Sequence, residues 1–151
     1  MVEDGVDAGK GPRGGVVDRH DALRMTFTPA GNELCVTDSN TFALERMDLS
    51  DRTGAEQEAA IKKLWQELAG SPMDLFEGPL FRAIWLELCD EQHELILLAH
   101  HVICDGWSFY VILDELGKVL SGDAGTLSDA PSFAADKRTC RNGPCALRTP
   151  A

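Results

Sequence analysis

LILLAHHVICDGWSFYVILDEL, residues 95–116, carries five apolar residues into a pair of histidines, crosses Cys104 and Asp105, turns at Gly106 and starts a second apolar pattern. Leu95, Ile96, Leu97, Leu98 and Ala99 are apolar in both alternating sets. That pattern predicts a strand central in its sheet and covered on both sides. Beyond Gly106, Val111, Ile112, Leu116, Val119 and Leu120 recur at helical spacing, which predicts a helix over Trp107–Leu120. The order is therefore strand, loop, helix, with His100 and His101 where the strand ends.

Working outward, Phe81–Leu88 reads as a strand joined to the first by the polar CDEQHE, so the two form an antiparallel hairpin. VVDRHDALRMTF reads as a short helix running into a strand. PAGN (Pro29–Asn32) has turn chemistry before another strand at Leu34–Thr37, which makes a second hairpin. TFALERMDL is a further candidate strand. After Ser50 and Asp51 as possible caps, Ala55–Leu68 sets Ala60, Ile61, Leu64, Trp65 and Leu68 on one helical face. Helices packed on a mixed or antiparallel sheet make this an α/β chain of the α+β sandwich type.

With 151 residues and 44% hydrophobic content, the chain has material for one globular domain with a core. Its 25 acidic and 14 basic side chains give a net charge of -11, which repels phosphate backbones and anionic lipid, so nucleic acid is excluded as an expected partner. No apolar run reaches the roughly 20 residues of a membrane span, and no signal peptide opens the chain. A cytoplasmic protein is expected. Five cysteines at irregular spacing (Cys35, Cys89, Cys104, Cys140, Cys145) predict free thiols rather than a disulfide framework. Residues 1–15 are glycine-rich and residues 134–151 turn basic and lose pattern. Both ends are expected to lie outside the folded body at 16–133.

Chemistry-bearing motifs are few. GVDAGKG, Gly5–Gly11, has one residue too few between its glycines for a phosphate-binding loop and follows no strand. Adjacent strand residues point to opposite faces, so His100 and His101 are expected to do different work, and a metal site formed with Cys104 is disfavoured. A neutral imidazole at a buried strand end can accept a proton from a nucleophile within hydrogen-bond reach, although histidines so placed serve structure more often. Asp105 is expected to pair with an arginine and fix the loop, and Gly106 to permit a tight bend or a close backbone approach. Cys104 as a nucleophile lacks an identified activator.

HHVICDGWS resembles the His-His-x-x-x-Asp-Gly signature of the condensation domains of nonribosomal peptide synthetases, within the chloramphenicol acetyltransferase-like acyltransferase superfamily. Arg19–Phe27, RHDALRMTF, is similar to an upstream block of that family, and Met73–Leu88, MDLFEGPLFRAIWLEL, to its Asp-Leu-x-x-Gly-Pro-Leu-x-Arg segment. The resemblance implies the N-terminal lobe of a two-lobed fold, with the second lobe missing from a fragment of a larger synthetase. It implies His101 as the catalytic residue in amide formation between two carrier-protein thioesters, as general base or by positioning charge. His100 would be structural, Asp105 salt-bridged to an arginine, Gly106 beside an open substrate channel with Trp107 and Ser108, and Arg24 a supporting residue. Substrates would arrive on phosphopantetheine arms of carrier proteins, and no cofactor or metal would be bound by the domain. A related O-acyltransferase, an epimerization domain, or an inactive remnant or docking module would share the same motif.

Overall fold

The computed structural model describes residues 15–31, 33–37 and 42–130, together with the backbone of 139–141. Residues 1–14, most of the C-terminal stretch, and Cys145 lie outside the described residues. In chain order the elements are α1 (Val16–Arg19), a 3-10 turn (Asp21–Arg24), β1 (Met25–Phe27), β2 (Leu34–Val36), β3 (Glu45–Asp48), α2 (Gly54–Gly70), β4 (Phe81–Cys89), β5 (Gln92–Ala99), α3 (Gly106–Leu120), a second 3-10 turn (Ala124–Thr126) and β6 (Thr139–Arg141).

Two three-stranded sheets form, in the orders β1-β2-β6 and β3-β4-β5. β1 and β2 are the expected antiparallel hairpin, and β6, within the stretch expected to be patternless, runs parallel to β2. β4 and β5 are the second hairpin, from Phe81 opposite Ala99 to Cys89 opposite Gln92, with β3 parallel on the other side of β4. The polar connection is shorter than the sequence suggested, because Cys89 and Gln92–Glu94 are recruited into the strands and only Asp90 and Glu91 turn. The same order corrects the placing of the apolar run. Among the described residues β4 is the central strand and β5 stands at the edge.

Both faces of β5 are nonetheless covered. Leu95, Leu97 and Ala99 pack with α3, α1 and the first hairpin around a core of Leu23, Met25, Leu80, Phe81, Ile103 and Ile112. Ile96 and Leu98 face the other way, against Ile61, Leu64 and Leu68 of α2 and Met47 of β3. Period-2 alternation in β5 thus feeds two cores, and Leu86 of β4 loses all its solvent exposure in the second. Each buried leucine of this kind contributes about 1.5–3 kcal/mol.

α2 starts at Gly54, one residue before the expected Ala55, but neither Ser50 nor Asp51 caps it. Thr53 is the cap, in a reciprocal capping box with Glu56 whose carboxylate accepts from the Thr53 N–H at 2.9 Å. Trp65 does not join the apolar face and is 48% exposed. Gln57 holds the helix in place from a position with no apolar signal. Its amide donates to Leu49 O at 3.0 Å and Leu88 O at 2.7 Å, which ties the helix to two strand ends.

α1 is short, yet it carries the link to α3. Arg19 Nε and His20 Nε2 both meet Glu115 Oε2, at 3.1 and 2.9 Å, with all three side chains largely shielded from water. Burial pushes the Glu115 carboxyl up, but the hydrogen bonds from Arg19 and His20 outweigh it and hold the group below its ordinary value. A depressed carboxyl adds stability that is present above the unfolded value and lost as pH falls through the folded one. Glu115→Gln is therefore expected to lower unfolding free energy by about 1–3 kcal/mol at neutral pH. In urea titrations, that difference should shrink as pH is taken below the ordinary glutamate value of 4.5.

Gly78 has a φ of +66, and a Cβ there would stand 2.8 Å from Thr26 Cγ2 on β1. Glycine is required by the left-handed backbone and by the close approach together. Gly78→Ala should cost about 2–4 kcal/mol in chemical denaturation, from left-handed strain plus a displaced β1 side chain. A loss no larger than that of an exposed helical control such as Gly70→Ala would show that β1 yields freely.

Candidate functional site

The loop between β5 and α3 is held from both ends. At the strand end, His100 N–H donates to Leu80 O at 2.9 Å, and Ile103 N–H closes a turn onto His100 O at 3.0 Å. Ile103 and Cys104 are buried in the main core, while His101 and Val102 are turned out to solvent. Two apolar plugs in the middle of HHVICDG therefore present the second histidine outward.

The two histidines differ as their neighbouring positions implied. His100 is half-buried, and its Nδ1 accepts from Val102 N–H at 3.1 Å. An accepting Nδ1 leaves Nε2 as the protonated nitrogen of the neutral ring, so His100 is fixed in tautomer and shapes the turn. His101 is exposed, and among the described residues no such bond occupies its ring. A cleft of about 450 Å³ lies between β1 and the 76–81 segment, lined by Met25, Phe27, Phe76, Leu80 and Phe81 among others. Neither histidine lines it.

Within the described residues Asp105 has a role that the sequence reading did not give it. It is the N-cap of α3, its Oδ1 accepting from Ser108 N–H at 2.8 Å and from the Ser108 hydroxyl at 2.7 Å. Those two hydrogen bonds hold its carboxyl below the ordinary aspartate range. Among the described residues no arginine forms an ion pair with it. Ser108, expected in a substrate channel, has its hydroxyl committed to this cap. Trp107 is 73% exposed and stacks on Tyr110 with centroids 5.4 Å apart. A Cβ at Gly106 would meet nothing within 4 Å, so the bend itself does not demand glycine and the space in front of it is open.

Arg24 is also placed differently from the expected site support. Its guanidinium donates to Val17 O at 3.1 Å, Asp18 O at 3.3 Å and Thr37 O, and pairs with Asp21 Oδ1 at 2.7 Å. Those bonds clamp α1 to the end of β2 and leave the arginine as part of the scaffold. Burial raises the Cys104 thiol above its ordinary value, which works against a nucleophilic role. Cys35 and Cys104 are buried and Cys89 is exposed. Among the described residues no group of three or more His, Cys, Asp or Glu side chains is arranged to hold a metal, and no helix is long and apolar enough to cross a membrane.

The middle block, MDLFEGPLFR, links the other two. Asp74 Oδ1 accepts from Phe76 N–H at 2.7 Å and Glu77 N–H at 3.1 Å, which folds the segment into a tight turn and lowers the Asp74 pKa. The same segment receives Phe27 N–H on Leu75 O at 2.8 Å and His100 N–H on Leu80 O. Arg82, in the same block, makes a two-pronged bond to Glu45 at 2.8 and 2.9 Å, joining β4 to β3. Sequence reasoning misses Glu115, Gln57 and Glu45 as organising residues because their partners lie far away along the chain. The only sequence signal is a charged or polar residue on an otherwise apolar helix or strand.

Comparison with known proteins bears on the family and the fold. The family model described as "Condensation domain" matches residues 14–134. The chain is 33% identical over 127 residues to a linear gramicidin synthase of Brevibacillus parabrevis, covering 80% of this chain and 2% of that protein. It is 34% identical over 121 residues to phosphinothricin tripeptide synthetase PhsC of Streptomyces viridochromogenes, covering 78% of this chain and 11% of the relative. A solved structure described as the basis for condensation domain-mediated chain release from the enacyloxin polyketide synthase superposes with a TM-score of 0.64 at 29% identity, over 78% of this chain and 23% of that one. The starter condensation domain of rhizomide synthetase RzmA gives 0.61 at 24% identity, over 78% and 28%, a likeness of fold. The chain thus spans a small part of its curated relatives and under a third of these solved chains. On the match across 14–134 and the identity to the synthetases, the chain belongs to the condensation domain family.

Proposed function

We propose that this chain is the part of a condensation domain that carries the catalytic histidine for amide formation between two carrier-bound thioesters. The observation that carries the reading is the loop at the end of β5. His100 is locked by Val102, Ile103 and Cys104 are anchored in the core, and His101 stands exposed at the start of the Asp105-capped helix. His101 acts on the amine of an aminoacyl acceptor as it attacks a donor acyl or peptidyl thioester, as general base or by stabilising the charge that develops. Nitrogen bonds to the carbonyl carbon, the carbon–sulfur bond breaks, and the thiol of the donor arm leaves with a proton.

Most of the acceleration comes from holding amine and thioester in line, which contributes up to roughly 7–11 kcal/mol. One exposed imidazole supplies less. The walls that exclude water from His101, and an arginine for the free face of Asp105, would come from the remainder of a longer condensation domain. Phosphopantetheine arms of carrier proteins deliver both substrates, and the domain itself holds no cofactor. The synthetases among its relatives favour an amine acceptor over the alcohol of an O-acyltransferase or the α-proton exchange of an epimerization domain. They favour an active domain over a remnant or docking module. A cytoplasmic setting fits carrier-bound substrates.

The test is the condensation rate with carrier-loaded donor and acceptor, measured on the natural protein containing this sequence. His101→Ala is expected to lower the rate about 10²–10⁴-fold with the melting temperature preserved. Equal rates for the two proteins would remove the catalytic role. Product from an alcohol acceptor, or α-proton exchange without amide, would move the chain to a neighbouring reaction class.

A further inference from the structure

The histidine loop is tied back to the segment before β4 by a single backbone bond. Leu80 stands opposite His100, one step beyond the Phe81–Ala99 end of the β4-β5 ladder. An antiparallel pair at such a position can exchange two bonds. Among the described residues one is made: His100 N–H donates to Leu80 O at 2.9 Å, while His100 O leaves the ladder and accepts from Ile103 N–H at 3.0 Å. The backbone next to His101 is therefore placed by the direction of one carbonyl.

That carbonyl is aimed from upstream. Asp74 Oδ1 accepts from Phe76 N–H at 2.7 Å and Glu77 N–H at 3.1 Å, and Asp74 O accepts from Gly78 N–H at 2.9 Å. Three bonds to one residue close the turn over 74–78 and leave only Pro79 before Leu80. The ring of Pro79 fixes its φ, so little slack separates the turn from the Leu80 carbonyl. The Leu80 side chain is 1% exposed and anchored in the main core. A buried side chain fixes where Leu80 sits, whereas the direction of its carbonyl follows the backbone on either side, and the Asp74 turn controls one of those sides.

We propose that Asp74 is a positioning residue for amide formation, a role that rests on the catalytic reading of His101: its carboxylate aims the Leu80 carbonyl, and through His100 sets the reach of the His101 ring. The effect falls on rate rather than on binding. Attack of the amine on the thioester tolerates little displacement, and a misplacement of about 1 Å costs roughly 10²-fold.

The test is steady-state condensation with carrier-loaded donor and acceptor on the natural protein containing this sequence, with melting temperatures recorded beside it. Asp74→Ala is expected to lower kcat about 10–10²-fold and leave KM for both carriers unchanged. Asp74→Asn, whose side-chain oxygen can accept the same two N–H groups, should restore kcat. Asp48 provides the control. Its Oδ1 accepts from Ser50 N–H at 2.9 Å and the Ser50 hydroxyl at 2.7 Å, a local turn of the same kind at the end of β3, and Asp48→Ala should leave kcat as it is. If Asp74→Ala does not fold, Asp74→Glu takes its place, since it keeps the charge on a longer arm that no longer fits the turn and should lose rate in the same way. A parental kcat in the Asp74 variant overturns the proposal, as does an equal loss in Asp48→Ala or a failed rescue by asparagine. His101→Ala separates the two levels: rate lost there but kept without the Asp74 turn strikes the positioning role alone, and full rate in His101→Ala removes the catalytic reading with it.

Discussion

One carboxylate decides where the site can be. Glu115 receives Arg19 and His20, and α3, which carries Glu115, is the helix whose first residues complete HHVICDG. The contact is worth about 1–3 kcal/mol, comparable with one buried leucine and small beside a core that holds many. Its effect is orientation. An apolar helix face can slide or rotate against a sheet at little cost, whereas a carboxylate with two fixed donors accepts few arrangements. The RHDALR block therefore acts on the histidine loop through the far end of the helix.

The same division between apolar energy and polar placement recurs in the middle block. Leu80 and Phe81 are nearly inaccessible, and their burial fills the space between β1 and α3. The carbonyls of Leu75 and Leu80 then fix β1 on one side and His100 on the other. Gly78 makes that double contact possible, since any side chain at its position would push β1 away. Three separated blocks of sequence are thus one hydrogen-bonded unit.

Periodicity identifies the elements because each has one environment along its length. Helical spacing locates α2 and α3 to within a residue or two, and both hairpins are legible from turn chemistry and alternation. Legibility ends where a residue's role depends on a distant partner. A strand with two cores beside it has the same composition whether central or at an edge, so the pattern gives the buried faces of β5 correctly but not its edge position among the described residues. Asp105 beside a glycine reads equally as an ion-pair partner or a cap. The residue that reveals the cap is Ser108, three positions on, at the spacing of an N-cap acceptor and its donor. Arg24 belongs to a block that resembles a functional one, which draws it toward the site on sequence alone. Its four partners are instead carbonyls and a carboxylate of its own neighbourhood.

The paired histidines make sense as a division of labour imposed by geometry. His100 sits at the last position that can still bond to β4, and it uses both its N–H and its ring to end the strand and start the turn. With Nδ1 accepting from Val102 N–H, the His100 ring is engaged in shaping the turn. His101 is one residue further, beyond the ladder and ahead of the Ile103 and Cys104 anchors, where the backbone is fixed but the side chain is not. Catalytic use needs that combination of a rigid mount and an uncommitted ring. Of the two, only His101 offers it.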